Sequence, residues 1–83
     1  MAYRIVIVRK AEKDLEKLDP VVKKRIKTSL VKFSRNPLLY AKKLKSSSVG
    51  AYRFRMGSHR IIFDIGKNTV VILRIGHRRE IYQ

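Results

Sequence analysis

The spacing of apolar residues changes once along this 83-residue chain, and that change restricts the fold more than any other feature. Between Ala11 and Phe33 the apolar positions recur every three or four residues, the period of a helix packed on one side. From Tyr52 onward they alternate every second residue, the period of a half-buried strand. Helical and strand patterns in separate blocks indicate an α+β fold with helices packed on one face of an antiparallel sheet. A chain of this length has room for one core, so residues 1–83 read as a single domain.

The elements follow from local chemistry. Tyr3 to Val8 is short and rich in β-branched residues, and its apolar groups on both faces predict an interior strand. Ala11, Leu15 and Leu18 form the stripe of a first amphipathic helix. Asp19-Pro20 then ends one helix and starts another, with Asp19 as N-cap and Pro20 at the first helical position. Val22, Ile26, Leu30 and Phe33 line the second helix, which stops before Asn36-Pro37 because the residue ahead of a proline avoids the α region. The short link predicts an antiparallel helical hairpin. The stretch from Leu38 to Gly50, with Lys42, Lys43, Lys45 and the serines Ser46 to Ser48, reads as a loop. Beyond it lie three antiparallel strands, joined by a type II′ turn at Gly57-Ser58 and a turn at Gly66-Lys67-Asn68.

The first of these turns sets a register. With Gly57 and Ser58 in the loop, Arg55 falls opposite Arg60, Arg53 opposite Ile62, Phe54 opposite Ile61 and Tyr52 opposite Phe63. Opposed residues share a face, so Arg53, Arg55 and Arg60 converge on one side while the aromatic residues turn to the helices. Two like charges set directly opposite each other destabilise a hairpin, and an anion held between them removes the repulsion. The guanidinium fork suits a phosphate through paired hydrogen bonds. For the third strand, a loop at Lys67-Asn68 sets Arg60 opposite Ile75 and puts His77 on the arginine face; a slip of one residue would put Arg74 there. His77 matters because an imidazole transfers protons near neutral pH, whereas His59 beside the turn reads as a solvated turn residue.

Composition narrows the partner. Twenty-one Lys and Arg against six acidic residues give a net charge of +15 and a pI near 10.9, which calls for an anionic partner. Before Gly50 the cations are ten lysines and four arginines; from Gly50 onward they are one lysine and six arginines. The lysines suit salt-dependent, sequence-independent attraction, and the arginines suit a phosphate held in fixed geometry. There is no cysteine, so disulfides and a thiol nucleophile are excluded, and the two histidines and scattered carboxylates show no metal-ligand spacing. The apolar runs are too short to span a membrane and no secretion signal precedes them, so the cytoplasm is the expected compartment.

The run from Gly50 to Phe63, followed by Ile75-Gly76-His77-Arg78-Arg79-Glu80-Ile81-Tyr82, resembles toxins of the RelE/ParE superfamily of toxin-antitoxin systems. The Tyr3 to Val8 strand, the Ala11-x-x-Asp14-Leu15-x-x-Leu18 helix and the Pro37 to Leu44 approach extend the likeness over essentially the whole chain. The resemblance implies a RelE-like fold and a ribosome-dependent endoribonuclease that cuts messenger RNA in the decoding site, by attack of a ribose 2′-hydroxyl on the adjacent phosphate without a metal or other cofactor. Arg60 then matches the hairpin arginine that stabilises the pentavalent phosphate, Arg78 the C-terminal catalytic arginine, Tyr82 the terminal tyrosine near the base, and His77 a proposed general acid. Arg53 and Arg55 stand where relatives often carry lysines, and with Lys45 and Arg79 they are the expected phosphate and RNA contacts. Arginine holds a phosphate well but is a poor general base, so the base stays unassigned among His77, Tyr82 and a ribosomal group. The implied partners are the ribosome, messenger RNA and a small antitoxin in a heterotetramer or similar complex. Two alternatives remain: a ParE-like inhibitor of DNA gyrase, and a non-enzymatic basic RNA-binding protein.

Overall fold

The computed structural model describes residues 3–43 and 52–77. In chain order they form β1 (Arg4–Ile7), α1 (Arg9–Glu16), α2 (Pro20–Phe33), α3 (Pro37–Tyr40), β2 (Lys42–Lys43), β3 (Tyr52–Met56), β4 (His59–Gly66) and β5 (Thr69–His77). The strands make one five-stranded sheet in the order β1-β5-β4-β3-β2, antiparallel except for the parallel β1–β5 pair. Among these residues no helix is long and apolar enough to cross a membrane.

The helix signals act as their chemistry requires. Asp19 Oδ1 accepts the Val21 N–H at 2.9 Å, and Pro20 occupies the first turn of α2, where its missing donor costs nothing. Ala11 and Leu15 of α1 and Ile26, Leu30 and Phe33 of α2 are buried against Ile61, Phe63, Val70, Ile72 and Ile75 of the sheet. Phe33 stacks on Phe54 with ring centroids 4.9 Å apart and meets Phe63 edge-on at 4.9 Å, tying α2 to the middle of the hairpin. One face of the sheet therefore carries the core, as the alternation of Tyr52, Phe54, Ile61 and Phe63 predicts.

Three expectations need correction. β1 is an edge strand, not an interior one, because it pairs on one side only, with β5; Ile5 and Ile7 pack on the core, while Val6 on its other face stays 39% exposed. The stretch read as a loop from Leu38 opens with the single turn α3, because Pro37 presets the first helical position and its carbonyl accepts the Ala41 N–H at 2.9 Å. That turn directs Tyr40 onto Phe33 and Phe54 and delivers Lys42 and Lys43 to the edge of β3 as β2; the rest of the stretch, from 44, lies outside the described residues. The third lies in the register of β5, which shapes the candidate site.

Candidate phosphate-binding site

The β3–β4 hairpin has the register that its turn predicts. Gly57 holds φ +59°, a left-handed conformation that a side chain would strain, while Ser58 does not, the pattern of a type II′ loop. Met56 then faces His59, Arg55 faces Arg60, Phe54 faces Ile61, Arg53 faces Ile62 and Tyr52 faces Phe63. The three arginines share the face opposite the helices; Arg53 and Arg60 are half-buried and Arg55 is exposed. Arg55 Nε donates to the Gly57 carbonyl at 3.3 Å, which steers its guanidinium along the turn.

One side chain joins this face that the alternation did not announce. Lys42 of β2 pairs with Arg53, adding a fourth cation to the row, and a cleft of about 310 Å3 lies beside it, lined by Tyr40, Lys42, Arg53 and Arg55 among others. The signal for β2 was weak, since two residues are too few to show a period. Ile62 is completely buried on the arginine side, apart from the main core cluster, so the cations stand around an apolar floor. Such a floor excludes water from beneath a bound anion and strengthens each charge contact. Asp64 falls on the same face at its far end.

β5 departs from the expected register. Ile65 pairs with Val70 and Phe63 with Ile72, but Ile62 pairs with Arg74, so Leu73 is an extra residue in a β-bulge. The bulge shifts everything beyond it: Arg60 stands opposite Gly76 rather than Ile75, and His77 stands opposite His59. His77 therefore belongs by register to the face away from the arginines, at the strand end, with its ring centroid 6.0 Å from that of His59. Opposite Arg60 the chain offers a residue without a side chain, which leaves the hairpin arginine room that an isoleucine would occupy.

Arg74 comes by register to the arginine side, yet its guanidinium is engaged elsewhere. Asp14 of α1 accepts from Arg74 Nε at 2.7 Å and Nη2 at 3.2 Å, and the same carboxylate accepts the Ile75 N–H at 3.0 Å. β1 pairs with β5 only as far as Ile72, so the backbone edge beyond is open, and Asp14 closes it. The hydrogen bond that Arg74 donates to Asp14, more than the carboxylate's charge alone, raises the Arg74 pKa above the ordinary arginine value against a smaller effect of burial. Arg78 and Tyr82, together with Lys45 and Arg79, lie outside the described residues.

This small α+β chain has known counterparts in sequence and in fold. The family model for the ParE toxin of the type II toxin-antitoxin system parDE matches residues 5–82. The chain is 37% identical over 90 residues to Toxin RelG of Mycobacterium tuberculosis, covering 100% of this chain and 99% of that protein. Among solved structures, the RelBE2 toxin-antitoxin complex of M. tuberculosis superposes with a TM-score of 0.83 at 32% identity, covering 94% of this chain and 100% of that one. A RelE toxin of E. coli carrying two arginine-to-alanine substitutions, in the free state, matches with a TM-score of 0.76 at 26% identity over 93% of this chain and 84% of that one. The chain is a toxin of the type II toxin-antitoxin class. It belongs to the RelE/ParE family.

Proposed function

We propose that this toxin is a ribosome-dependent endoribonuclease that cleaves messenger RNA in the decoding site. The observation that carries the reading is the cross-strand pair Arg55–Arg60 with Arg53 on the same face over the buried Ile62. In the reaction a ribose 2′-oxygen attacks the adjacent phosphorus, the bond to the 5′-oxygen breaks, and a cyclic phosphate and a 5′-hydroxyl result. Negative charge builds on the non-bridging oxygens in the transition state, where fixed guanidinium groups are worth most. Arg60 holds those oxygens, and Arg53, Arg55 and Lys42 position the strand. Arg78 and Tyr82 complete the set at the C-terminal end, with Lys45 and Arg79 as further RNA contacts. The 2′-hydroxyl proton leaves to a base, and the leaving 5′-oxygen takes a proton from Tyr82 or a ribosomal group, because the register turns His77 to the other face at the strand end. The arginines supply the charge stabilisation that a metal ion gives in other nucleases.

An antitoxin partner fits the same surface chemistry, since the lysine-rich outer side of α2 (Lys23, Lys24, Lys27) suits an acidic segment. Two structural relatives, from M. tuberculosis and Methanococcus jannaschii, are toxin-antitoxin complexes. Incubating the purified protein with programmed ribosomes and mapping the new 5′ ends, with naked messenger RNA as control, tests the reading. Codon-phased cuts that require the ribosome support it; intact messenger RNA together with DNA damage on induction indicates gyrase inhibition instead.

A further inference from the structure

A second basic recess lies at the end of the β4–β5 pair, outside the arginine row. Its volume is about 350 Å3, and its lining includes Asp14, Lys17, His59, Arg74, Gly76 and His77. Asp14 is the carboxylate among these, and it already accepts three hydrogen bonds, two from the Arg74 guanidinium. Its charge is thereby offset within the fold and does not repel an incoming anion. Lys17, exposed at the C-cap of α1, adds an ammonium to the rim and counters the partial negative charge of the helix end. His59 and His77, directly opposed on neighbouring strands with ring planes at 78°, contribute imidazoles that can donate N–H groups.

The recess is continuous in the chain with the arginine face. His59 precedes Arg60 and His77 follows Gly76, and Arg60 and Gly76 are themselves opposed. Consecutive Cα atoms are about 3.8 Å apart, so the two faces come together at the strand end over roughly the width of one residue. An RNA strand whose scissile phosphate sits at Arg60 meets this recess on leaving the sheet. The geometry points to the recess as a subsite for a flanking phosphate of the same RNA strand, held by Lys17 and His59. This assignment rests on the endoribonuclease reading and adds to it a second phosphate contact that binds without taking part in the chemistry.

The test compares wild type with Lys17→Glu and with the double variant Lys17→Ala/His59→Gln, first on programmed ribosomes and then with a single-stranded RNA oligomer alone. Lys17 is exposed, so its reversal keeps the fold, which an unchanged melting curve checks. The expected result is a KM raised about tenfold with kcat within about twofold, since the contact is equal in the ground and transition states. With the oligomer, the slope of log affinity against log salt becomes shallower by about 0.7 for each phosphate that the variant no longer neutralises. An active wild type whose variants keep its KM and salt slope overturns the assignment, as does a loss confined to antitoxin affinity. If the wild type cuts nothing on ribosomes, the endoribonuclease reading fails separately, and the oligomer salt slopes still decide the subsite.

Discussion

On β3 and β4 the fold sets an arginine opposite an arginine, while on β5 it sets an arginine against a carboxylate. Arg55 and Arg60 raise the energy of the hairpin by their proximity, a cost on the order of 0.2–1 kcal/mol for like charges directly opposed. Arg74 does the reverse, because its two bonds to Asp14 close an open strand edge. The same side chain is thus structural in one setting, and in the other it is the group for which we propose phosphate binding. Position on the arginine face does not by itself decide the role; the partner that the helices bring does.

Removing one arginine of each kind separates the two settings. Arg60→Ala should lower cleavage by about 100-fold or more, the scale of losing one preorganised oxyanion donor, while thermal melting stays level or rises slightly. Arg74→Ala should do the opposite to the fold, costing about 2 kcal/mol through a charge-assisted pair and leaving the Asp14 carboxylate short of donors. For a domain of this size that loss lowers the melting temperature by roughly 10 °C, which a calorimetric scan reads directly. A cycle with Asp14→Ala should show strong coupling to Arg74→Ala and none to Arg60→Ala.

Smaller effects sharpen the same contrast. Replacing Arg55 by Thr should stabilise the hairpin by about 0.5 kcal/mol in chemical denaturation while weakening RNA binding several-fold, because it relieves the repulsion and removes a phosphate contact. The pH dependence is the smallest effect. The Arg74 pKa is raised in the folded state, so its contribution is fully present below the ordinary arginine value and is lost only as pH rises through the raised one. The destabilisation by Arg74→Ala should therefore stay constant between about pH 6 and pH 9, well below where guanidinium titrates.

The hairpin was legible in the sequence because a two-residue turn leaves no freedom in register: once Gly57-Ser58 is the loop, every pair from Met56–His59 to Tyr52–Phe63 follows. The helices were legible for a similar reason, since the Asp19 cap and the stripes of Ala11, Leu15, Ile26, Leu30 and Phe33 are local signals. What could not be read was the bulge at Leu73, because one extra residue inside an apolar strand leaves the composition unchanged while moving His77 to the other face. The Asp14–Arg74 pair joins residues sixty positions apart and has no local trace. β2 has no pattern of its own, because its two residues are strand only by virtue of the edge of β3 beside them.

We propose phosphate chemistry for the arginine face and a purely structural role for the Asp14–Arg74 pair. Single-turnover cleavage on programmed ribosomes, with toxin in saturating excess and at a temperature where all variants are folded, tests this division most directly. Arg60→Ala is expected to slow the cleavage step by about 100-fold or more, while folded Arg74→Ala keeps it within a few-fold of wild type. An Arg60→Ala protein that cuts at the wild-type rate, or an Arg74→Ala protein that is folded yet as inactive as Arg60→Ala, would contradict it.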